Sequence, residues 1–350
     1  MMRRSVLALG IVWVTSTCAQ VSPFTGKPVM PPDSSGSYRL LIGGHFHGAS
    51  SSVSGYPAAT VLASIGAMNA TKANVFLSTG DLFMDPDRDS ARYATAFFAP
   101  LQLPLFNAPG NHDLEGKAYG IGARMPVVIA MGQDRIILLD TERDDSSIKG
   151  DQLQLLSDLA ARAEAEDVAH VFIVTHRPIW SEGDVRYAPL FEGNTRSLTG
   201  SNFKSDVLPV LRELARTASI HWISGSMAGR APASIFFQPQ EKNITFIQSA
   251  VRDRIQDALL IADVDPTGIR WSALSLSGST MEPVETYDAA WWEARGTVKE
   301  EFHWRRMPYL IKKTVSYPVF WYGFGVAGLC VVLFRLLLRG RRRANDPSKS

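Results

Sequence analysis

The stretch that decides the fold is LFNAPGNHD, residues 105–113. Its first four residues, Leu105–Ala108, indicate a short buried strand. Gly110 follows and lets the backbone bend, so that the next side chains can point into a crevice. Those side chains are Asn111, His112 and Asp113. Because ligands of open α/β sheets bind at the carboxyl ends of the strands, the stretch predicts one corner of a ligand site.

The same arrangement of a strand followed by polar residues recurs along the chain. The other predicted strands of this kind are Tyr38–Ile42, Val75–Ser78, Val171–Thr175 and Ile220–Ser224. The clusters that follow them are Gly44-His45-Phe46-His47-Gly48, Gly80-Asp81, Thr175-His176-Arg177-Pro178 and Ser224-Gly225-Ser226-Met227-Ala228-Gly229. One such cluster is usually only a turn. Five of them indicate a shared site, in which Asp, Asn and His would be ligands for a divalent metal.

Amphipathic segments separate the strands. We predict helices at Pro57–Asn69, Ser90–Leu101, Gly150–Glu166 and Phe203–Thr217. Three further strands, Ile244–Gln248, Ala258–Val264 and Ile269–Leu276, are predicted to form a meander. The alternation of strands and helices predicts a domain of the α/β (α+β) class.

The motifs resemble those of the calcineurin-like metallophosphoesterases. The resemblance lies in the order Gly80-Asp81, then Gly110-Asn111-His112-Asp113, then a strand that ends in His176. Leu138-Leu139-Asp140-Thr141 and Gly150-Asp151-Gln152-Leu153 are also similar to that family. The resemblance covers roughly residues 38–276. It implies a β-sandwich flanked by helices, with two metals between the strand ends and a phosphate ester as substrate.

The resemblance also implies a role for each matching residue. Asp81 would bridge two metals, and Asn111 and His176 would bind the second metal. His47 would lie near the first. His112 would act on the phosphate as a general acid or charge stabiliser, oriented by Asp113.

Two motifs depart from the family pattern. Where the family has Asp-x-His, this chain has His45-Phe46-His47, and where the family has Gly-His-x-His it has Gly225-Ser226-Met227-Ala228. Ser226 and Ala228 therefore occupy degenerate metal positions. Two dications beside a single carboxylate would be poorly neutralised. We expect one divalent ion (Mn, Fe or Zn) rather than two, held mainly by Asp81, Asn111 and His176, with His45 or His47.

Three functions remain open at this stage. The first is a phosphoesterase acting on a phosphorylated small molecule, a lipid headgroup or a glycan. The second is a non-catalytic relative that serves as a membrane-anchored binding or assembly module, since a fold does not imply a function. The third is an envelope protein that only binds a phosphorylated headgroup. A net charge of +2 argues against nucleic acid as a partner, and no protein partner is predicted.

The cysteines restrict the chemistry of the domain. Cys18 and Cys330 are the two in the sequence, and the region between them has none. The predicted domain therefore contains neither a disulfide nor a thiolate metal site, and a metal must be bound by His, Asp, Glu or Asn.

Both ends of the chain indicate a membrane. A basic start, a short apolar run and small residues predict a signal peptide at 1–19, with lipidation of Cys18 as an alternative. Residues 317–338 are apolar and long enough to span a bilayer. The remaining predictions are a flexible linker at 20–36, the domain at 37–280, a juxtamembrane stalk at 281–316 and a basic cytoplasmic tail at 339–350. The domain would lie on the extracytoplasmic (periplasmic or lumenal) side of a single-pass membrane protein.

Overall fold

A computed structural model describes residues 20–49, 54–115, 125–191, 194, 197–227, 231–296, 307–315 and 318–344. The predicted signal peptide, Cys18, Ala228, residues 297–306 of the predicted stalk and the last residues of the predicted tail (345–350) lie outside this description.

The first of two sheets carries the first histidine motif. Its strands lie in the order β11-β10-β1-β2-β3. Their bounds are β1 (Tyr38–Gly43), β2 (Val75–Ser78), β3 (Leu105–Asn107), β10 (Ala258–Asp265) and β11 (Gly268–Ser275). β1, β2 and β3 are parallel, so their carboxyl ends meet at one edge of the sheet. β10 and β11 add antiparallel on the other side of β1.

The second sheet has six strands in the order β4-β5-β6-β7-β9-β8. Their bounds are β4 (Val127–Met131), β5 (Asp134–Leu138), β6 (His170–Val174), β7 (Ser219–Ser224), β8 (Ile235–Glu241) and β9 (Ile244–Ser249). β5, β6, β7 and β9 are parallel, while β4 and β8 run antiparallel at the two edges.

Eight helices lie in the part of the chain that the structure describes. Their bounds are α1 (Ala59–Ala63), α2 (Ile65–Ala70), α3 (Pro86–Tyr93), α4 (Gly150–Arg162), α5 (Leu208–Leu214), α6 (Ala289–Arg295), α7 (Met307–Val315) and α8 (Pro318–Ala344). α3 begins four residues before the predicted Ser90 because the side chain of Asp85 accepts a hydrogen bond from Arg88 N (3.1 Å), with Pro86 at the first helical position.

The alternation of side chains along β1 explains the two hydrophobic clusters. Leu40 and Ile42 belong to the larger cluster, which also contains the residues of the second sheet. Leu41 between them points the other way and belongs to the smaller cluster, with residues of α1 and α2. Since successive side chains of a strand face opposite sides, β1 is buried on both faces. The predicted fold class, a helix-flanked sandwich of two mixed sheets, is confirmed.

Two expectations about strands were wrong. β4, β5 and β8 were not predicted, and β9, β10 and β11 do not form a meander. β9 pairs with β7 and β8 in the second sheet, whereas β10 pairs with β1 and β11 in the first. The chain crosses between the sheets directly after β9, where Ala250 N donates to Ser234 O (3.0 Å) and Val251 N donates to Gly44 O (2.9 Å).

Residues 20–36, expected to be a flexible linker, contact the domain along β3. Ser22 is buried. Its hydroxyl donates to Leu105 O (2.6 Å) and accepts from Leu105 N (3.1 Å). Val29 is also buried and belongs to the large hydrophobic cluster. The segment therefore covers the edge of the first sheet, because its own side chains satisfy the backbone there.

Part of the predicted stalk also contacts the domain. α6 is capped by Asp288, whose carboxylate accepts from Trp291 N (2.8 Å). Trp292 is buried, and its indole nitrogen donates to Ile235 O (3.0 Å). Further along, Pro318–Leu338 is a helix long and apolar enough to cross a membrane, with a mean hydropathy of 1.9. The domain bounds as a whole remain predictions.

Candidate metal centre

Loops at the carboxyl ends of β1, β2 and β6 bring three imidazoles to one carboxylate. Asp81 Oδ2 lies 3.0 Å from His45 Nε2, 3.7 Å from His47 Nε2 and 3.4 Å from His176 Nε2. Asp81, His47 and His176 are buried and His45 is nearly so. The residues that sequence reasoning placed in one crevice are therefore neighbours across the two sheets.

The backbone at this cluster is held in a costly conformation. His45 and Asp81 both have positive φ angles, 60° and 53°. A non-glycine residue in the left-handed region costs about 1–3 kcal/mol and persists where the surroundings impose it, often at functional sites. Gly80 has a φ of 95°, and a Cβ there would lie 2.5 Å from His176 Nδ1. The Gly-Asp pair is thus required by the close approach of His176.

Hydrogen bonds to backbone carbonyls orient two of the rings. His176 Nδ1 lies 3.0 Å from Thr79 O and donates to it, and His45 Nδ1 lies 3.4 Å from Gly48 O. A ring that donates through Nδ1 presents a lone pair at Nε2. The lone pair of His176 Nε2 therefore faces the carboxylate oxygen of Asp81, whereas His45 Nε2, at 3.0 Å, is within hydrogen-bond distance of that oxygen. Within the described residues, His176 Nε2 and both ring nitrogens of His47 are buried without a hydrogen-bond partner.

This arrangement fits a divalent metal ion. Lone pairs that face a carboxylate repel it unless a cation lies between them. Imidazole nitrogens and carboxylate oxygens are ligands of Zn²⁺, and bonds of 2.0–2.1 Å place neighbouring ligand atoms about 3.3 Å apart. The separations of 3.0, 3.7 and 3.4 Å from Asp81 Oδ2 bracket that value. The ligand atoms of His45, His47 and Asp81 all lie within 4.8 Å of one another.

The ionisation of these groups also suits a metal. Burial alone would raise the pKa of Asp81, but the facing imidazoles of His176, His45 and His47 hold it well below its usual value. Burial lowers the pKa of His47 to about 4 and lowers the pKa of His176. The lowered pKa values of Asp81, His47 and His176 favour an ionised carboxylate and unprotonated rings, the state in which these groups bind a metal.

Asn111, predicted to be a ligand, is held by an arginine instead. Its Oδ1 accepts a hydrogen bond from a terminal nitrogen of Arg177 (3.1 Å). Arg177 is buried and makes two parallel hydrogen bonds of 2.6 Å to the carboxylate of Glu142. The amide oxygen of Asn111 therefore faces a guanidinium, and its role as a metal ligand stays a prediction. The Arg177–Glu142 pair was not predicted as part of the site, because Glu142 follows the unpredicted strand β5.

The two residues that follow Asn111, His112 and Asp113, have different contacts. The backbone nitrogen of His112 donates to Asp81 Oδ1 (3.1 Å), and its partly exposed ring lies 5.1 Å from the ring of His47. Asp113 was expected to orient His112. Its carboxylate instead accepts from Phe83 N (3.1 Å), Asn107 Nδ2 (2.9 Å) and Gly110 N (3.0 Å), so it holds the loops around the site. Burial and the charge of Asp81 raise the pKa of Asp113 to about 7.

Comparison with known proteins finds a match to one protein family. Residues 56–202 match the family model of calcineurin-like phosphoesterases. This part of the chain, which includes Asp81, Asn111, His112 and His176, is similar to that family. The resemblance seen in the sequence is thereby confirmed. No curated protein matches the chain.

Two solved structures are similar to the domain. A dimetal phosphatase from Danio rerio is 13% identical, with a TM-score of 0.47 over 68% of this chain and 99% of that chain. A predicted phosphoesterase from Streptococcus pneumoniae is 15% identical, with a TM-score of 0.34 over 70% and 93%.

The last motif of the domain forms part of a hydrogen-bonded network. Ser226 N donates to His176 O (2.7 Å), Ser226 O accepts from Gln248 Nε2 (2.6 Å), and Ser226 Oγ accepts from Asn194 Nδ2 (3.3 Å). Ser226 is buried, so its backbone supports the loop of His176. His221, expected to be a core residue, is buried between the rings of Phe172 and Trp271.

Proposed function

We propose that this chain is a metal-dependent phosphoesterase, anchored by α8 with its domain on the extracytoplasmic side of the membrane. The observation that carries the proposal is the convergence of His45, His47 and His176 on Asp81 Oδ2. Buried ring nitrogens without hydrogen-bond partners are unfavourable. A domain that no longer bound a metal would have no reason to keep them beside one carboxylate. We assign one divalent ion, Mn, Fe or Zn, to these four residues, and Asn111 to a supporting role.

The residues of the site have different roles in ester hydrolysis. The bound ion would polarise a phosphoryl oxygen and lower the pKa of a water molecule. Asp81 and the three histidines hold it in place. His112, whose ring is partly exposed beside His47, contacts the phosphate and either donates a proton to the leaving oxygen or stabilises the charge. Arg177 holds Asn111 and is itself neutralised by Glu142.

The test is the metal content and the hydrolytic activity of the purified full-length protein. We expect about one equivalent of metal, with turnover of a generic phosphate ester that is lost in Asp81→Asn and reduced in His112→Ala without loss of metal. The matched control is His221→Phe, a buried histidine outside the cluster. A wild-type protein that binds metal without turnover would contradict the enzyme assignment. Absence of both metal and turnover would indicate that the protein serves as a scaffold.

A second function is favoured by one observation. The oxygen of Asn111 is occupied by Arg177, and Ser226 and Ala228 replace the histidines of the last family motif. A second ion would lack these ligands. The alternative is a membrane-anchored binding module that holds a phosphorylated ligand without hydrolysis. Metal binding combined with saturable phosphate binding and no turnover would support it.

A further inference from the structure

The spanning helix is joined firmly to the helix before it. The indole nitrogen of Trp321, in the first turns of α8, donates to the carbonyl oxygen of Val315 at the end of α7 (2.7 Å). A last carbonyl of a helix has no partner within that helix. Trp321 supplies one, so a hydrogen bond connects α8 to the end of α7.

α7 in turn is connected to the candidate metal centre through α1. It contacts α1, the helix that follows the His45-Phe46-His47 motif. α1 has five residues and is therefore only about 7 Å long. The residue before it, Ala58, donates from its backbone nitrogen to Phe46 O (2.8 Å). Phe46 stands between the two histidines. A short series of contacts thus runs from α8 through α7 and α1 to the cluster.

The exposed side of α7 has the character of a membrane-surface helix. Ile311 is 53% exposed and Val315 is 37% exposed. They are four residues apart and lie on the same side of the helix. Lys312 beside them is also exposed. Exposed aliphatic residues combined with lysine are typical of helices that lie in the headgroup region, where the apolar side chains enter the lipid and the cation attracts anionic headgroups.

We propose that the substrate is the phosphorylated headgroup of a lipid in the membrane to which α8 anchors the chain. This inference rests on the function proposed above. If α7 lies in the headgroup region, α1 and the loop of His45 and His47 lie within about two helix diameters of it, roughly 20 Å. A lipid that diffuses in the bilayer then meets the site without leaving the membrane.

The reaction is a hydrolysis with water as the only co-reactant. An oxygen of water bonds to phosphorus, the bond between phosphorus and the leaving ester oxygen breaks, and that oxygen takes a proton. One proton of the water goes to the leaving oxygen, and the other stays on the phosphate or passes to the solvent. No oxidant or reductant is needed.

The experiment uses the full-length protein in phosphatidylcholine vesicles. One set of vesicles contains phosphatidic acid and another contains phosphatidylglycerol, so that a monoester and a diester are both offered. The dibutyryl forms of the same lipids, added in solution, are the soluble substrates. The variants are Ile311→Glu and Val315→Glu on α7. Val185→Glu, at an 88% exposed position in the loop after β6, is the matched control.

We expect hydrolysis of a long-chain lipid in the vesicle. Each α7 variant should lower that rate about tenfold, since burial of one aliphatic side chain contributes roughly that factor to the partitioning of α7 into the headgroup region. Hydrolysis of the dibutyryl substrates should stay unchanged, and Val185→Glu should change neither rate.

Three results would overturn the proposal. Turnover of the soluble substrates without turnover of the vesicle lipids would show that the site acts on soluble esters. Equal loss of both rates in the α7 variants would show that this side of α7 supports the fold and does not face the lipid. Turnover of neither substrate, with metal bound, would refute the proposed function and this inference together.

Discussion

Asp81 is the residue on which the candidate site depends. It is the carboxylate that His45, His47 and His176 share, and its backbone is held at a positive φ. We predict that Asp81→Asn abolishes metal binding and that His176→Ala lowers metal affinity by more than the 10- to 100-fold typical of residues one contact further out. Elemental analysis and competition with a chelator measure both effects.

The same measurement tests the number of ions. We expect no more than one equivalent in the unmodified protein, because Asn111 is held by Arg177 and Ser226 by Asn194 and Gln248. Two equivalents would show that other groups complete a second site and would contradict this account.

The buried pair of Arg177 and Glu142 makes a separate prediction. Their side chains are 4% and 10% exposed and joined by two hydrogen bonds of 2.6 Å. Removing one partner leaves the other charge buried and unpaired, which costs about 3–5 kcal/mol. Arg177→Ala should therefore lower the free energy of unfolding by about that amount. The double variant Arg177→Ala with Glu142→Gln should recover part of the loss in a denaturant titration. A double variant no more stable than the single one would contradict the pairing.

At the scale of elements, β7 carries a pH-sensitive residue away from the metal centre. Burial, together with the neighbouring His170, lowers the pKa of His221 from 6.5 to about 3. Below about pH 6.5 the unfolded chain therefore binds a proton that the folded chain does not. The stability that this residue contributes is complete above pH 6.5 and is lost as the pH falls toward 3, by up to about 1.4 kcal/mol per pH unit.

His221→Phe removes that proton and keeps the stacking with Phe172. We expect its free energy of unfolding to depend less on pH than that of the wild type between pH 6 and pH 4. Denaturant titrations at several pH values give the difference between the two proteins. Parallel curves would show that His221 is not the titrating group.

The elements also show what the sequence could and could not predict. β1, β2, β3, β6 and β7 could be predicted because each is a short apolar run followed by glycine or polar residues, and these strands place His45, His47, Asp81 and His176. β8 could not, because Gln238, Pro239 and Gln240 interrupt its apolar pattern as it passes along a sheet edge. The strand partners of β9 and β10 depend on a crossing between sheets, which is decided by contacts far apart in the sequence.

At the residue level, the contacts of Arg177 could not be predicted either, because they join segments far apart in the sequence. Its position after β6 was visible in the sequence, but Glu142 and Asn111, its two partners, come from other strand ends. The hydrogen bonds of Asp113 could not be predicted for the same reason, since they link segments around residues 83, 107 and 110.

For the whole molecule, the prediction concerns topology. We predict that the domain lies outside the cytoplasm and the C-terminus inside, because residues 1–19 have the sequence pattern of a signal peptide and the apolar α8 follows the domain. Protease added to intact spheroplasts should digest the domain and spare a tag placed after Ser350. A protected domain would refute this orientation.

The contact between Ser22 and β3 has a consequence for the self-association of the protein. An open strand edge invites pairing with a neighbouring molecule. The hydroxyl of Ser22 occupies both backbone groups of Leu105 at the point where such pairing would start. The segment around Ser22 thus protects this edge of the sheet. Removal of the segment would expose the edge and favour aggregation through strand pairing.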